Sequence, residues 1–173
     1  VTKAIISTDT DGATINLKDA TGVYTLKGGD GVDKLTGSAG ADKIESGAGD
    51  DEITVAAAGN ANTDTMDGGE GTADVLKLSA GAHTFGDNAK LANIEKIETH
   101  ADGSEVVVSA QEEGFEITGG AGVDKITGGQ GADTIKTAGG NDEITVAAAG
   151  NANTDTMDGG EGTADVLKLS AGA

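Results

Sequence analysis

Six aspartates stand nine residues apart in two runs of three: Asp33, Asp42 and Asp51, then Asp124, Asp133 and Asp142. Each is preceded two residues earlier by Gly and followed two residues later by Leu or Ile. A carboxylate offers anionic oxygen to a hard cation, and calcium takes about six to eight oxygen ligands. Glycine lets turn carbonyls face the same point without side-chain obstruction. Acid–base or nucleophilic chemistry is not suggested: no nucleophile elbow, phosphate loop or zinc-binding helix is present, and His83 and His100 read as surface residues. "STDTDGATINLKD" is a poor EF-hand loop, with Ser7 at the first ligand position and Lys18 where a bidentate Glu belongs. A turn at Asp11-Gly12 between two strands explains it better.

Cut into nines, the first run reads "GGDGVDKLT", "GSAGADKIE", "SGAGDDEIT" and the second "GGAGVDKIT", "GGQGADTIK", "TAGGNDEIT". Position four is always Gly, position six Asp and position eight Leu or Ile. The candidate ligand turns therefore comprise Gly28, Gly29, Gly31, Gly37, Gly40, Gly47 and Gly49 with the first three aspartates. Their counterparts are Gly119, Gly120, Gly122, Gly128, Gly129, Gly131 and Gly140 with the second three. Nine residues suffice for one turn and one strand of about three residues, whose aliphatic side chain points into a thin interior. Two units make a coil, so Asp33 and Asp51 are expected one above the other along one edge, with Asp42 on the opposite edge. Carboxylates stacked at a strand spacing of about 4.8 Å repel severely without a cation between them. Calcium suits such a site better than magnesium, which demands near-octahedral geometry and retains water.

These units resemble the glycine-rich nonapeptide G-G-x-G-x-D-x-U-x of RTX proteins. The resemblance implies a right-handed parallel β-roll, a β-solenoid with several calcium ions held by Asp carboxylates and turn carbonyls, export by a type I system and folding outside the cell. "GNANTDTMD" from Gly59 fits with Asn at positions two and four, which adds Asp64 and, in the second run, Asp155 to the ligand set. The next unit, "GGEGTADVLK", has one additional residue before its acid, which leaves open whether Asp74 and Asp165 reach the ligand position.

The elements that must position these residues form a tandem array. Asp51 to Ala82 is identical to Asp142 to Ala173 over 32 residues at an offset of 91, and weaker matches extend the offset on the N-terminal side. We divide the chain into a first copy, 1–91, with nonapeptides at 28–54 and degenerate units at 59–77, and a second, 92–173, with nonapeptides at 119–145 and degenerate units at 150–168. Copy two stops where copy one continues with "HTFGDNAKLANIEKIE", so a longer polypeptide is expected. Such a period marks an array whose units bury their faces against neighbours. Short alternations ("ATINL", "VYTL", "VLKL", "IEKIE", "EVVV") between Gly, Asp and Asn clusters read as brief strands. "DNAKLANIEKIE" reads as a single helical turn leading into a strand through Ile94 and Ile97. The stretch from Leu78 to Thr118 is expected to continue the coil without calcium, with 91 residues close to five coils of 18.

Composition agrees with an all-β solenoid. Only 2% of residues are aromatic and 30 are Gly, so a thick layered core is not available. The net charge of -19 opposes binding to nucleic acid or anionic membrane and favours a cationic partner. No apolar run approaches the roughly 20 residues of a membrane span, and "VTKAIISTDT" has no signal-peptide layout. The absence of cysteine removes disulfides and thiolate metal sites. The expected function is not enzymatic: a calcium-rigidified repeat of a secreted bacterial surface-layer, filament or adhesin protein, associating with further copies of itself. The alternative is the export and folding module of a type-I-secreted enzyme or toxin.

Overall fold

A computed structural model describes residues 2–6, 10–58, 63–146 and 154–170. The strands are β1 (Thr2–Ile6), β2 (Thr14–Asn16), β3 (Val23–Lys27), β4 (Lys34–Thr36), β5 (Lys43–Glu45), β6 (Glu52–Val55), β7 (Thr65–Asp67), β8 (Val75–Leu78) and β9 (Gly81–Thr84). After a 3-10 turn at Asn88–Lys90 come β10 (Leu91–Ala92), β11 (Lys96–Glu98), β12 (Ser104–Val107), β13 (Glu116–Thr118), β14 (Lys125–Thr127), β15 (Thr134–Lys136), β16 (Glu143–Val146), β17 (Thr156–Asp158) and β18 (Val166–Leu169).

These strands form three parallel sheets. One runs β2-β4-β6-β8-β11-β13-β15-β17 along the whole molecule; β1-β3-β5-β7-β10 faces its first half and β9-β12-β14-β16-β18 its second. Successive strands alternate between facing sheets, which makes a parallel β-solenoid of about seven turns, as the short Gly-bounded alternations predicted. The exchange of facing sheet occurs in one coil, where β8, β9 and β10 enter all three sheets in turn.

A three-residue strand presents one side chain inward, and here it is the aliphatic two residues after each acid. In the long sheet these stack in register as Ile15, Leu35, Ile53, Leu76, Ile97, Ile117, Ile135 and Met157. The opposing ladder is Leu26, Ile44, Met66 and Leu91 in the first half, then Val106, Ile126, Ile144 and Leu167. Most of these join one continuous core, each fully buried side chain contributing about 1.5–3 kcal/mol. Among the described residues no helix is long and apolar enough to cross a membrane.

Three expectations meet the structure here. The turn at Asp11-Gly12 is present, with Gly12 at φ 90°. The segment from Asp87 makes its single turn, the Asp87 carboxylate accepting from the Ala89 backbone N–H, and then buries Ile94 and Ile97. His83, in contrast, is not a surface residue. It is fully buried at the inward position of β9, in register with Val106, with Nε2 2.8 Å from the Ser79 carbonyl.

The period is the second correction. Coils are not uniformly 18 residues: Leu35 pairs with Ile53, but Ile44 pairs with Met66 and Ile53 with Leu76, 22 and 23 residues on. The degenerate units absorb the surplus, so 91 residues span four and a half coils rather than five. Strand β4 of the first copy therefore lies in the long sheet while its counterpart β14 lies in the facing sheet, and likewise β6 and β16. Tandem copies present the same residues on opposite faces of the solenoid.

Candidate metal centre

The residue two positions before each inward aliphatic stands where turn becomes strand, and there the acids form ladders between coils. Along the edge feeding the long sheet, Asp33 Oδ1 accepts from the Ala13 backbone N–H, and Asp51 Oδ1 from that of Asp33 at 2.7 Å. Asp74 Oδ1 accepts from Asp51 at 2.7 Å and Glu95 Oε2 from Asp74 at 2.8 Å. On the opposite edge Asp42 accepts from Tyr24 at 2.8 Å and Asp64 from Asp42 at 2.9 Å. The second copy repeats both: Asp124 accepts from Ser104, Asp142 from Asp124 and Asp165 from Asp142, while Asp133 accepts from Phe115 and Asp155 from Asp133. Asp33 and Asp51 thus share one edge and Asp42 the other, as the spacing predicted. Residues 59–62 and 150–153, which open the degenerate units, lie outside the described residues.

The second carboxylate oxygen separates two kinds of site. Oδ2 of Asp33, Asp42, Asp124 and Asp133 accepts the backbone N–H four residues earlier, from Gly29, Ser38, Gly120 and Gly129, at 2.6–2.8 Å. Oδ2 of Asp51, Asp74 and Asp142 is buried with no hydrogen-bond partner. Ahead of these three the backbone is left-handed, at Gly47 (φ 113°), Gly69 (φ 84°) and Ala138 (φ 64°), and no N–H of the same turn reaches Oδ2.

The glycines line the same turns. A Cβ on Gly28, Gly119 or Gly128 would meet the carboxylate of its own unit, Asp33, Asp124 or Asp133, and one on Gly37 would lie 3.2 Å from Asp42 Oδ2. At position four, a Cβ would strike the backbone of the adjacent coil: Gly12 from Gly31, Gly22 from Gly40, Gly31 from Gly49, Asp102 from Gly122, Glu113 and Gly114 from Gly131, and Gly122 from Gly140. This close stacking explains why position four carries no side chain in the six nonapeptides.

Burial without a counter-ion is the electrostatic signature of the ladders. Asp33, Asp42, Asp51, Asp64, Asp74, Asp124, Asp133 and Asp142 are all buried. The ion pairs among the described residues lie elsewhere, such as Lys77–Glu52 at 2.8 Å and Lys168–Glu143 at 2.6 Å, and none involves these eight. Burial pushes the carboxyls of Asp64 and Asp74 up to about 6, the neighbouring Asp42 and Asp51 charges adding to it, and raises those of Asp51, Asp124 and Asp133.

Among the described residues no three His, Asp or Glu side chains converge on one point. Any ion must take one or two carboxylates and complete its shell from turn carbonyls. Unpartnered buried carboxylate oxygens, glycine turns packed against carbonyls, and a donor set without nitrogen or sulfur fit calcium. The structure places Asp74 and Asp165, whose register the glycines leave open, in the same ladders. The intact triplet Asp74-Val75-Leu76 is the signal that places Asp74 in the ladder, and Glu95-Lys96-Ile97 does the same for Glu95.

A parallel solenoid seamed by buried acids and glycine turns is the form of a structural repeat. The family model of the RTX calcium-binding nonapeptide repeat matches residues 25–55 and 116–145, in four copies, so the chain carries RTX calcium-binding repeats over about a third of its length. No curated protein and no solved structure matches the chain.

A pH dependence of the calcium-free chain follows. Asp64 and Asp74 titrate at about 6 when folded against an ordinary 3.8, so between those values the folded state holds protons that the unfolded state has released. Stability therefore falls as pH rises through about 6 and is gained on acidification. Calcium-stripped protein should gain β signal by circular dichroism on going from pH 7.5 to 5. In millimolar calcium the sign reverses, because protons compete for the ligands. Loss of β signal at pH 5 in the calcium-free chain would contradict this account of the buried acids.

Proposed function

We propose that this chain is a calcium-binding structural module of a secreted bacterial surface protein, a surface layer, extracellular filament or adhesin, folded and stiffened by calcium outside the cell. The ligands are the ladder aspartates, Asp33, Asp42, Asp51 and Asp64 with Asp124, Asp133, Asp142 and Asp155, completed by carbonyls of the glycine turns. Calcium supplies the counter-charge that the buried carboxylates lack.

The observation that carries this reading is the identical 32-residue block of the two tandem copies, placed in one solenoid whose long sheet runs through both. An extended protein gains length by duplicating a spacer, and such a unit need only fold and stack on its neighbours. The half-coil offset adds a reason to favour lateral assembly: whatever one copy offers a neighbour on one face, the next offers on the other, which suits a sheet or bundle of parallel rods.

Length per copy tests the proposal. Proteins of two, four and six tandem copies in millimolar calcium should appear by electron microscopy as rods lengthening by about 22 Å per copy, from four and a half coils at a strand spacing of about 4.8 Å. Compact particles whose length does not grow with copy number would refute the spacer reading.

A further inference from the structure

The family match ends at Thr145 in the second copy and Val55 in the first, just after the last nonapeptide acids, Asp142 and Asp51. Yet the unpartnered carboxylate oxygens belong to these two acids and to Asp74, which lies outside the match. Asp51 and Asp74 occupy the same edge in adjacent coils, their strands paired with Glu52 opposite Val75, and Asp74 Oδ1 is already fixed by the Asp51 N–H. Each carboxylate is 1% exposed and has one oxygen to spare.

The turn before Asp74 reproduces the setting of a matched nonapeptide. A Cβ on Gly119 would meet Asp124 Oδ2 at 2.8 Å and the Thr137 carbonyl oxygen of the next coil. One on Gly68 would meet Asp74 Oδ2 at 2.8 Å and the Asn93 carbonyl oxygen of the next coil. On the other side Gly71 brings the Gly49 carbonyl oxygen close and would place a Cβ 2.6 Å from Asp74 Oδ2. The glycine stands six residues before the acid instead of five, so the extra residue is taken up within the turn and the carboxylate reaches the same place. Two buried carboxylate oxygens without a hydrogen-bond partner face backbone carbonyls and glycines; the nearby Ser46 hydroxyl is directed to the Asp67 and Gly68 carbonyls, and a hard dication is the partner such an oxygen-rich pocket accepts.

We infer that each copy holds a calcium ion beyond the matched nonapeptides, between the carboxylates of Asp51 and Asp74 in the first copy and of Asp142 and Asp165 in the second. All residues of the first site other than Gly49 and Asn93 lie in the identical 32-residue block, and the second copy repeats the rung and the turn: Asp165 Oδ1 accepts from the Asp142 N–H, and Gly159 and Gly162 pack against the Asp165 carboxylate, with Asp142 Oδ2 buried and unpartnered and Asp165 exposed. The site rests on the calcium-binding reading of the repeats and adds to it the residues of a non-consensus unit.

Calorimetric titration of the full chain with calcium counts the ions. Asp74→Asn keeps the Oδ1 acceptor for the Asp51 N–H and removes the charge; it should lower the stoichiometry by one ion, Asp165→Asn by another, and the pair by two. Asp33→Asn serves as the comparison within the matched repeats. If wild type and Asp33→Asn behave as calcium proteins should while both new variants bind as many ions as wild type with the same affinity, this site is overturned and the repeat reading stands. No calcium uptake by wild type overturns both. Should Asp74→Asn fail to regain β structure in saturating calcium, crystals of the wild-type chain loaded with terbium decide: an anomalous peak between Asp51 and Asp74 supports the site, and peaks confined to the nonapeptides refute it.

Discussion

Raising calcium from micromolar to millimolar should convert the chain cooperatively from an expanded coil to the solenoid, with β signal and compaction rising together around a midpoint of roughly 10⁻⁴ to 10⁻³ M, the range of extracellular calcium modules. The reason lies in the ladders. Eight aspartates are buried among the described residues without an ion pair, in a chain of net charge -19, and the core opposing that repulsion is a double file of single aliphatic side chains. Each occupied site adds RT ln(1 + [Ca]/Kd), about 1 kcal/mol at a few times Kd. A single site of that strength would scarcely matter. Because every acid accepts from the backbone of the coil before it, filling one site orders the turn on which the next depends, and the sites act together. Circular dichroism and hydrodynamic radius measured in one titration test this. Folding already complete at submicromolar calcium would contradict both the electrostatic argument and the proposed coupling of folding to the extracellular space.

How much of this could be read from the sequence depends on which spacing carried the information. The triplet of acid, any residue and aliphatic, where it follows a glycine turn at the right distance, locates both the ladder oxygen and the core side chain, as at Asp33-Lys34-Leu35 and Asp142-Glu143-Ile144, whereas Asp30-Gly31-Val32 has the triplet and leaves Val32 exposed. The glycine-to-acid distance is a looser ruler, because a turn can absorb a residue without moving the strand, and it leaves Asp74 ambiguous for that reason. Coil length is a sum over all turns, so small surpluses in the degenerate units accumulated into a half-coil error that no single unit displays. The buried place of His83 is not legible because Gly81-Ala82-His83-Thr84 lacks aliphatic alternation. Only its spacing of two from the buried Phe85 marks it as inward-facing.

The stacking of glycine on backbone makes the second large effect, and it separates tight packing from calcium chemistry. Gly40→Ala should destabilise the calcium-loaded protein by about 3 kcal/mol, the upper part of the usual range for overpacking, whereas Gly86→Ala should be silent. A Cβ on Gly40 would enter the Gly22 carbonyl oxygen of the preceding coil, which is backbone and cannot rotate aside, while one on Gly86 would meet nothing within 4 Å. Relief requires the coils to part, and that weakens the Tyr24-to-Asp42 rung and the Leu26–Ile44 contact on the same edge. For a chain of this size the loss corresponds to a fall in Tm of roughly 6–12 °C. The calcium midpoint should rise as well, since binding must then offset the added strain before the fold is populated. Thermal melts of the two variants in saturating calcium provide the comparison. Equal melting temperatures for Gly40→Ala and wild type would mean that the coils are not packed at backbone contact, and glycine at position four would need another cause.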